Sequence, residues 1–375
     1  MANKETFSQK QRIVSLDQFR GYTVAGMFLV NFLGGYMGVP TILQHKNTFC
    51  SYADTIMPHF LFAVGFAYRL TFLRRLQRQS VRETYMQAVW RNLGLILVGL
   101  AVYGLDANYS SWAELSAMGL KGFLLTAFRD SPWQALVHIG VTGLWVLPVI
   151  ARGTAVRLVF LALCAVANMF VLHTSYYPWT FAVSTNDGGP LGFLTWTIPL
   201  LMGSITYDIV AAHSARNAIR PILIWAVALM LLGYGLSCIT TIKQAWAGVP
   251  GNRGILAWFV EPPFVPPSRP VDMWTMCQRT GSTSYQFFGA GFSMLVFAAF
   301  LYACDIKTLQ VGFFRTFGQN ALAAYLIHDV VGETVERSIP HDSPGTLVVL
   351  GLLVFFGVTY FFVRHLEKNN IFLRL

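Results

Sequence analysis

Long apolar runs alternate with short polar segments along almost the whole chain. Ten runs stand out, each close to the ~20 residues that a helix needs to cross the ~30 Å hydrocarbon core of a bilayer. They cover residues 22–39, 55–73, 89–105, 132–150, 155–173, 193–211, 221–240, 285–303, 314–331 and 344–363. The pattern predicts about ten transmembrane helices.

Two segments between the runs have a different pattern. Residues 106–131 carry scattered apolar side chains and predict an interfacial or re-entrant helix. Residues 241–284 contain five prolines between Pro262 and Pro270 and predict an external cap over the spans rather than a linker. We therefore expect a single transmembrane domain over residues 1–375, with its external cap at about 241–284.

Composition supports this class of protein and excludes several others. Apolar residues make up 55% of the chain and charged residues 12%, against about 25% charged residues in a typical soluble domain. This excludes a soluble enzyme, a disordered chain and a DNA-binding domain. The expected fold class is an all-α polytopic membrane protein with about ten transmembrane helices.

The distribution of basic residues predicts the orientation of these helices. With the N-terminus in the cytoplasm, 19 of the 27 lysines and arginines fall on the inner side, which leaves 8 outside. Inner loops of membrane proteins carry such an excess, so we expect both termini inside. The net charge of +10 then faces the anionic lipid of the bilayer, and no nucleic acid need be invoked. The polar first 13 residues predict no cleavable signal peptide.

The first run begins with charged residues and contains an amide. Asp17 and Arg20 are three residues apart and share a helix face. They form either a local ion pair or, through Arg20, a site for an anionic ligand. Asn31 lies within the first run, where a buried amide needs a partner. Asn31 either makes a hydrogen bond that packs two helices together or belongs to a functional site.

A second polar group surrounds the loop between the first two runs. It consists of His45 in the loop, Asp54 at the start of the second run, and His59. Asp54 could simply cap a helix N-terminus, or it could fix the tautomer of a histidine. On spacing alone, His45 is a surface residue more often than a catalyst.

Further polar residues lie in the run 314–331 and among the cysteines. Asn320, His328 and Asp329 stand at three depths, and they line a cavity or form a packing network. Cys50 and Cys277 both fall in outer segments and could form a disulfide if that side is oxidising. No spacing of ligands predicts a metal site.

Two blocks of sequence carry a family resemblance. The first comprises RIVSLDQFRG at 12–21, a Val-Asn pair ending at Asn31, the loop residue His45, and ADTIMPHFLFAVG at 53–65. The second is FGQNALAAYLIHDVV at 317–331. Together they resemble the transmembrane acyltransferases of the family of lysosomal heparan-α-glucosaminide N-acetyltransferase and its bacterial homologues.

The resemblance implies an activity and roles for particular residues. The family moves an acetyl group from cytoplasmic acetyl-CoA to the amine of a sugar across the membrane. It implies that His45 is catalytic, with Asp54 beside it. Further residues expected at the acceptor are Asn31, His59, His328 and Asp329.

The chain departs from the family pattern at two points. The five residues that follow His45 are Lys-Asn-Thr-Phe-Cys, where relatives usually carry a tryptophan and a glycine and one residue more. His59 stands where an aromatic residue is common, which makes it a second candidate base. The acceptor pocket is therefore expected to differ from that of the family.

The charged nucleotide end of acetyl-CoA cannot cross the hydrocarbon core, so it should stay at the basic inner face. The candidate nucleotide-binding residues on that side are Arg20, Arg69, Arg74, Arg91 and Asn320, with Arg75 among the nearby arginines. Arginine binds phosphate well, although the inside preference of basic residues alone also explains most of these positions.

The sequence leaves two other functions open. Ten spans with intramembrane polar residues also suit an amino-sugar transporter, and the unusual loop leaves room for an O-acyltransferase acting on a cell-envelope glycan. For the acetyltransferase, the expected partners are acetyl-CoA, a glucosamine-like amino sugar and the bilayer, with no metal. We expect a bacterial inner membrane and leave a homodimer, the acceptor's identity and an acetyl-histidine intermediate open.

Overall fold

The computed structural model describes residues 13–105, 107, 109–130, 132–183, 186–247 and 255–373. Within these ranges the chain is helical and contains no strand. Part of the predicted cap, residues 248–254, lies outside them. So do five of the basic residues used for the orientation: Lys4, Lys10, Arg12, Arg253 and Arg374.

Fifteen α-helices occur in the described part of the chain. They are α1 Val14–Leu33, α2 Ile56–Leu76, α3 Val81–Tyr103, α4 Trp112–Asp130, α5 Ala135–Trp145, α6 Leu147–Ile150, α7 Thr154–Val171, α8 Tyr177–Ala182, α9 Phe193–Ala212, α10 Ala215–Ser237, α11 Ile239–Trp246, α12 Thr283–Phe300, α13 Gly312–Gln319, α14 Ala321–Glu336 and α15 Gly345–Lys368.

Among the described residues, seven helical stretches are long and apolar enough to cross a membrane. They are Ala53–Leu76, Val81–Tyr103, Thr154–Ala182, Gly189–Ala212, Ala215–Ser237, Thr283–Ile306 and Gly345–Lys368. The chain is thus a helical membrane protein, and seven of the ten predicted runs match these stretches.

The other three runs form helices of a different kind. The run 22–39 is replaced by α1, which begins eight residues earlier in a polar segment and ends at Leu33. The run 132–150 forms the shorter α5 and the single turn α6. The run 314–331 is broken at Asn320 into α13 and α14, because the φ and ψ of Asn320 are not helical.

Glycines bring the central helices into backbone contact. A Cβ at Gly65 of α2 would lie 1.7 Å from the carbonyl oxygen of Leu200 in α9. A Cβ at Gly203 of α9 would lie 2.0 Å from the carbonyl oxygen of Phe62. Close packing through small residues is how helices associate when lipid surrounds them, so α2 and α9 form the centre of the bundle.

The same kind of contact joins the two sequence blocks. A Cβ at Gly21 of α1 would lie 1.8 Å from the carbonyl oxygen of Phe314, and one at Gly318 would lie 1.9 Å from that of Asp17. Helices α1 and α13 therefore cross at these two glycines. The crossing places α14, which follows α13, beside α1.

Residues 255–282 fold over one end of the bundle. The amide of Phe264 donates to the carbonyl of Cys50 at 2.9 Å, and the hydroxyl of Tyr234 donates to the carbonyl of Val260 at 2.6 Å. This segment contacts the loop between α1 and α2. The predicted helix in 106–131 is present as α4, which bends at Gly119 with φ of +65°.

Candidate functional site

The side chain of Asp54 is held in place by its own turn. It is fully buried just before α2, and its Oδ2 accepts hydrogen bonds from the backbone amide and the hydroxyl of Ser51, both at 2.9 Å. The backbone carbonyl of Asp54 also accepts a bond from the hydroxyl of Tyr285 at 2.5 Å. Asp54 is therefore a fixed carboxylate whose remaining oxygen points to the loop histidine.

His45 and Asp54 form a hydrogen-bonded pair. The Nδ1 of His45 lies 2.9 Å from Oδ1 of Asp54 and 3.1 Å from Oε1 of Gln278. Both neighbours are acceptors, so Nδ1 carries the proton and Nε2 keeps its lone pair. A histidine oriented in this way by a carboxylate is arranged to act as a base through Nε2.

A second carboxylate is connected to the pair through Gln278. The Nε2 of Gln278 donates to Oδ1 of Asp187 at 2.7 Å, while its Oε1 faces His45. The backbone amide of Gly188 donates to the carbonyl of Arg279 at 2.9 Å, which holds the Asp187 turn against this segment. The two loops thus form one hydrogen-bonded unit with the dyad of His45 and Asp54.

The carboxylates set the pKa of His45. Its side chain is 44% exposed but lies inside a cavity, and this partial desolvation alone would lower the pKa. The hydrogen bond and the charge of Asp54, with the charge of Asp187, outweigh desolvation and raise the pKa of His45 above its usual value. Burial of Asp187 raises the pKa of that carboxyl to about 6.

His45 opens into a cavity of about 410 Å³, which we call the dyad cavity. Its wall contains three carboxylates, from Asp54, Asp187 and Asp329, and two basic side chains, from Lys46 and Arg279. The volume lies in the range of about 300–1,000 Å³ that is typical of small-molecule sites. The dyad cavity can therefore hold a polar molecule of about the size of a sugar.

Asn31, His328 and Asp329 meet beside this cavity. The Nδ2 of Asn31 lies 3.4 Å from Nε2 of His328, which is also 3.1 Å from Oδ1 of Asp329. The Nδ1 of His328 bonds to the carbonyl of Tyr325, and its ring stacks on Phe28. Asn31 and Asp329 line the dyad cavity, whereas His328 is buried behind them.

The structure separates His59 from the dyad. Its ring is fully buried, with Nδ1 at 2.7 Å from the hydroxyl of Ser293, and it packs against Phe19 and Phe292. His59 lines neither the dyad cavity nor the second cavity described next. We therefore do not retain it as a candidate base or acceptor ligand.

A second cavity of about 450 Å³ lies toward the opposite ends of the helices. We call it the arginine cavity, because its wall contains Arg20, Arg75 and Arg91. The guanidinium of Arg91 lies 5.8 Å above the ring of Tyr68, which also lines this cavity. The remaining wall is mostly apolar and comes mainly from α2, α5 and α14, but it also contains the carboxylate of Asp17, which shares α1 with Arg20.

The two cavities share part of their wall. Phe60 of α2, Ala135 of α5 and Tyr325 of α14 line both of them. Tyr325 is hydrogen-bonded to the hydroxyl of Tyr103, a residue of the dyad cavity. A thin partition of side chains thus separates a cavity with a candidate base from a cavity with three arginines.

Three expected nucleotide-binding residues lie elsewhere. Arg69 donates to Oδ1 of Asp208 at 3.0 Å and to the carbonyl of Ile150 at 2.6 Å. Asn320 bonds to the backbone of residues 371 and 373, and thereby holds the C-terminal segment. Neither Arg69, Asn320 nor Arg74 lines the dyad or arginine cavity.

The structure also describes the two cysteines considered for a disulfide and the side chains that could bind a metal ion. Cys50 and Cys277 are both buried free thiols. Over the described ranges, no three histidine, cysteine or acidic side chains stand close enough together to hold a metal ion.

The sequence interpretation missed Asp187 and Gln278. A signal existed for the first, since the segment Asn-Asp-Gly-Gly-Pro at 186–190 is dense in turn residues. Asp187, Gly188 and Gly189 all have positive φ, of 53°, 83° and 58°. Nothing local connects this turn to Gln278, which is 91 residues away.

Compared with models of known protein families and with curated proteins, the chain matches none of them.

Proposed function

We propose that this protein is a transmembrane acetyltransferase that moves an acetyl group from cytoplasmic acetyl-CoA to an amino sugar on the outer side of the membrane. The observation that carries the proposal is the pair of cavities that meet at Phe60, Ala135 and Tyr325. One cavity offers an oriented base and the other offers arginines. The two sequence blocks that resemble the acyltransferase family supply much of both walls.

The arginine cavity suits the nucleotide end of acetyl-CoA. Arg20, Arg75 and Arg91 can bind phosphate oxygens through charge-assisted hydrogen bonds. The apolar part of the wall suits the thin and nearly uncharged pantetheine arm. The thioester at the end of that arm would then reach the partition and face the dyad cavity.

The dyad cavity suits the acceptor and the transfer step. The acceptor amine attacks the thioester carbonyl, so that an N–C bond forms and the C–S bond breaks. Nε2 of His45 takes a proton from the attacking nitrogen and passes it to the CoA sulfur. Asp54 stabilises the imidazolium that forms in between. In the alternative mechanism, Nε2 of His45 first takes the acetyl group covalently and then passes it to the acceptor.

The proposal includes a topology of ten spans with both termini inside. Besides the seven long apolar helices, it requires α1, α5 and the broken pair α13 and α14 to cross the membrane. The excess of basic residues on the inner side supports this arrangement. It places the dyad cavity outside and the arginine cavity inside, and a bacterial inner membrane remains the proposed location.

An amino-sugar transporter is the main rival, since it would also have cavities facing the two sides. Binding of CoA discriminates between them. A ligand at 100 times its dissociation constant adds about 2.7 kcal/mol of stability. The acetyltransferase is expected to unfold at a higher temperature with CoA, and a sugar transporter is not.

The direct test is acetyl transfer by the purified protein in detergent, from labelled acetyl-CoA to a panel of amino sugars. We expect labelled N-acetyl sugar from the wild type and at least about 10²-fold less from His45→Ala. His213→Ala is the matched control, because His213 is exposed and lines neither cavity. Equal turnover in His45→Ala and His213→Ala would refute the role of His45.

A further inference from the structure

We infer that Asp187 binds the ammonium group of the acceptor and takes its first proton, so that this site acylates amines in preference to hydroxyls. The inference rests on the proposed acetyl transfer and states which residue of the dyad cavity would select the amine of the acceptor. It assigns a substrate-contacting role to a residue that neither the sequence blocks nor the dyad contains.

Proton balance requires a second acceptor group for this chemistry. A sugar ammonium and acetyl-CoA give an amide, CoA thiol and one released proton. A sugar hydroxyl and acetyl-CoA give an ester and CoA thiol, with no proton released. His45 can move the proton that ends on sulfur. The additional proton of an ammonium must leave before the nitrogen has a lone pair for attack.

Among the three carboxylates of the dyad cavity, Asp187 is the best placed for this step. Asp54 is committed to Ser51 and His45, and Asp329 lies beside His328. The partner that the structure describes for Oδ1 of Asp187 is the neutral amide of Gln278. Asp187 therefore brings negative charge to the cavity wall without a described cationic partner of its own.

The backbone fixes this carboxylate firmly. Asp187 is only 7% exposed, and its carbonyl accepts a hydrogen bond from the indole nitrogen of Trp196 at 2.7 Å. Its φ of 53° lies in the left-handed region, which aspartate adopts more readily than most residues and which Gly188 and Gly189 continue in the same turn. Burial raises the pKa of Asp187 to about 6, which helps the carboxylate to hold a proton transiently.

Gln278 connects Asp187, which takes the first proton, with His45, which takes the second. Its amide accepts from Nδ1 of His45 on one side and donates to Asp187 on the other. The side chain of Gln278 thus lies between Asp187, where the ammonium binds, and His45, the base that takes the second proton. Asp187 takes the first proton and releases it to the solution before the next turnover. The neutral amine attacks the thioester carbonyl, so that the N–C bond forms and the C–S bond breaks, and His45 transfers the second proton to the departing sulfur.

The test compares two acceptors in Asp187→Asn. Asn tolerates positive φ as Asp does, and its side-chain oxygen can still accept from Gln278, so this variant should fold. Glucosamine is the ammonium acceptor. Hydroxylamine is the reference nucleophile, because it is largely uncharged at neutral pH and needs no first deprotonation. The measured quantity is the ratio of kcat/KM for the two acceptors.

We expect this ratio to fall by at least about 10-fold in Asp187→Asn, as for the loss of a charge-assisted contact. Asp187→Glu should retain more of the preference. Asp342→Asn, an exposed carboxylate outside both cavities, should keep the wild-type ratio.

An unchanged ratio in Asp187→Asn would overturn the inference, and so would an equal loss with both acceptors in a variant that still binds CoA. A second measurement needs no variant. The wild type should acetylate glucosamine on nitrogen and not on oxygen. If the wild type acetylates neither acceptor, the proposed acetyl transfer fails as well, whereas a failure confined to the variants leaves it standing.

Discussion

At the scale of single residues, the proposed acetyl transfer depends on how His45 is held. Its Nδ1 faces Asp54 and Gln278, and this leaves Nε2 as the basic nitrogen. His59 has the same side chain and lies only five residues beyond Asp54, yet it is packed among aromatic rings. The surroundings, and not the residue type, separate the candidate base from a packing residue.

The pH dependence of turnover should report the pKa of His45. Asp54 and Asp187 raise this pKa, and a base must be neutral to act. Activity should therefore fall as the pH drops through a midpoint above about 6.5, the ordinary value for histidine. Asp54→Asn removes the largest raising influence, so the acid limb of the kcat/KM profile should move to lower pH.

The control for this pH profile is the profile of a second variant. Asp342→Asn removes a carboxylate that lines neither cavity, and it should leave the acid limb where it is. An acid limb at the same pH in the wild type and in Asp54→Asn would show that the dyad does not govern the titration.

At the scale of secondary structure elements, α2 organises both cavities. Met57, Phe60, Val64, Thr71 and Arg75 all line one cavity or the other. Their spacing follows one face of a helix with 3.6 residues per turn. One stripe of α2 therefore runs from the dyad cavity past the partition to the arginine cavity.

The same periodicity explains which sequence predictions were useful. Arg69 lies on the opposite side of α2 from this stripe, and it pairs with Asp208. Helical register could therefore have excluded Arg69 from the cavity wall. It could not have excluded Arg74, which has the same angle around the helix as Ile56, a residue that lines the dyad cavity.

Nucleotide binding should therefore depend on the arginines of the cavity. Arg75→Gln and Arg91→Gln should each weaken CoA binding by about 10-fold or more, as for the loss of one hydrogen bond to a charged group. Arg82→Gln is the matched control, since Arg82 is exposed and lines neither cavity. Titration calorimetry in detergent measures all three, and a loss of affinity confined to Arg82→Gln would contradict the assignment.

Arg69 should instead contribute to stability. Asp208 bridges Arg69 of α2 and Arg157 of α7, and Arg157 is fully buried. Asp208→Asn would leave two largely buried guanidinium groups without their carboxylate, which typically costs about 3–5 kcal/mol. We expect a lower midpoint of thermal unfolding than in Asp342→Asn. An unchanged midpoint would mean that this ion pair contributes little to the fold.

At the scale of the whole molecule, the sequence predicted the class of fold and the local part of the site. Apolar runs identified the helices, whereas the roles of His45 and Asp54 were expected from the family resemblance and not from their spacing. The shared wall of Phe60, Ala135 and Tyr325 brings together three distant helices, and Gln278 reaches Asp187 from 91 residues away. Such contacts depend on tertiary packing, which periodicity along the chain does not encode.

The proposed topology makes a separate prediction. Single cysteines placed at Asn47 and Arg78 should be labelled from opposite sides of the membrane, with Asn47 outside. The native cysteines are buried, so they should react slowly with a membrane-impermeant maleimide. Labelling of both positions from the same side would contradict the placement of the two cavities.

The central claim is that the acetyl group crosses from one cavity to the other. The most direct measurement uses sealed proteoliposomes with labelled acetyl-CoA on the Arg78 side only and glucosamine on the opposite side only. The account predicts labelled N-acetylglucosamine on the glucosamine side, no passage of intact CoA, and at least about 10²-fold less product with His45→Ala. Product that forms only when both substrates share one side, or undiminished product with His45→Ala, would contradict it.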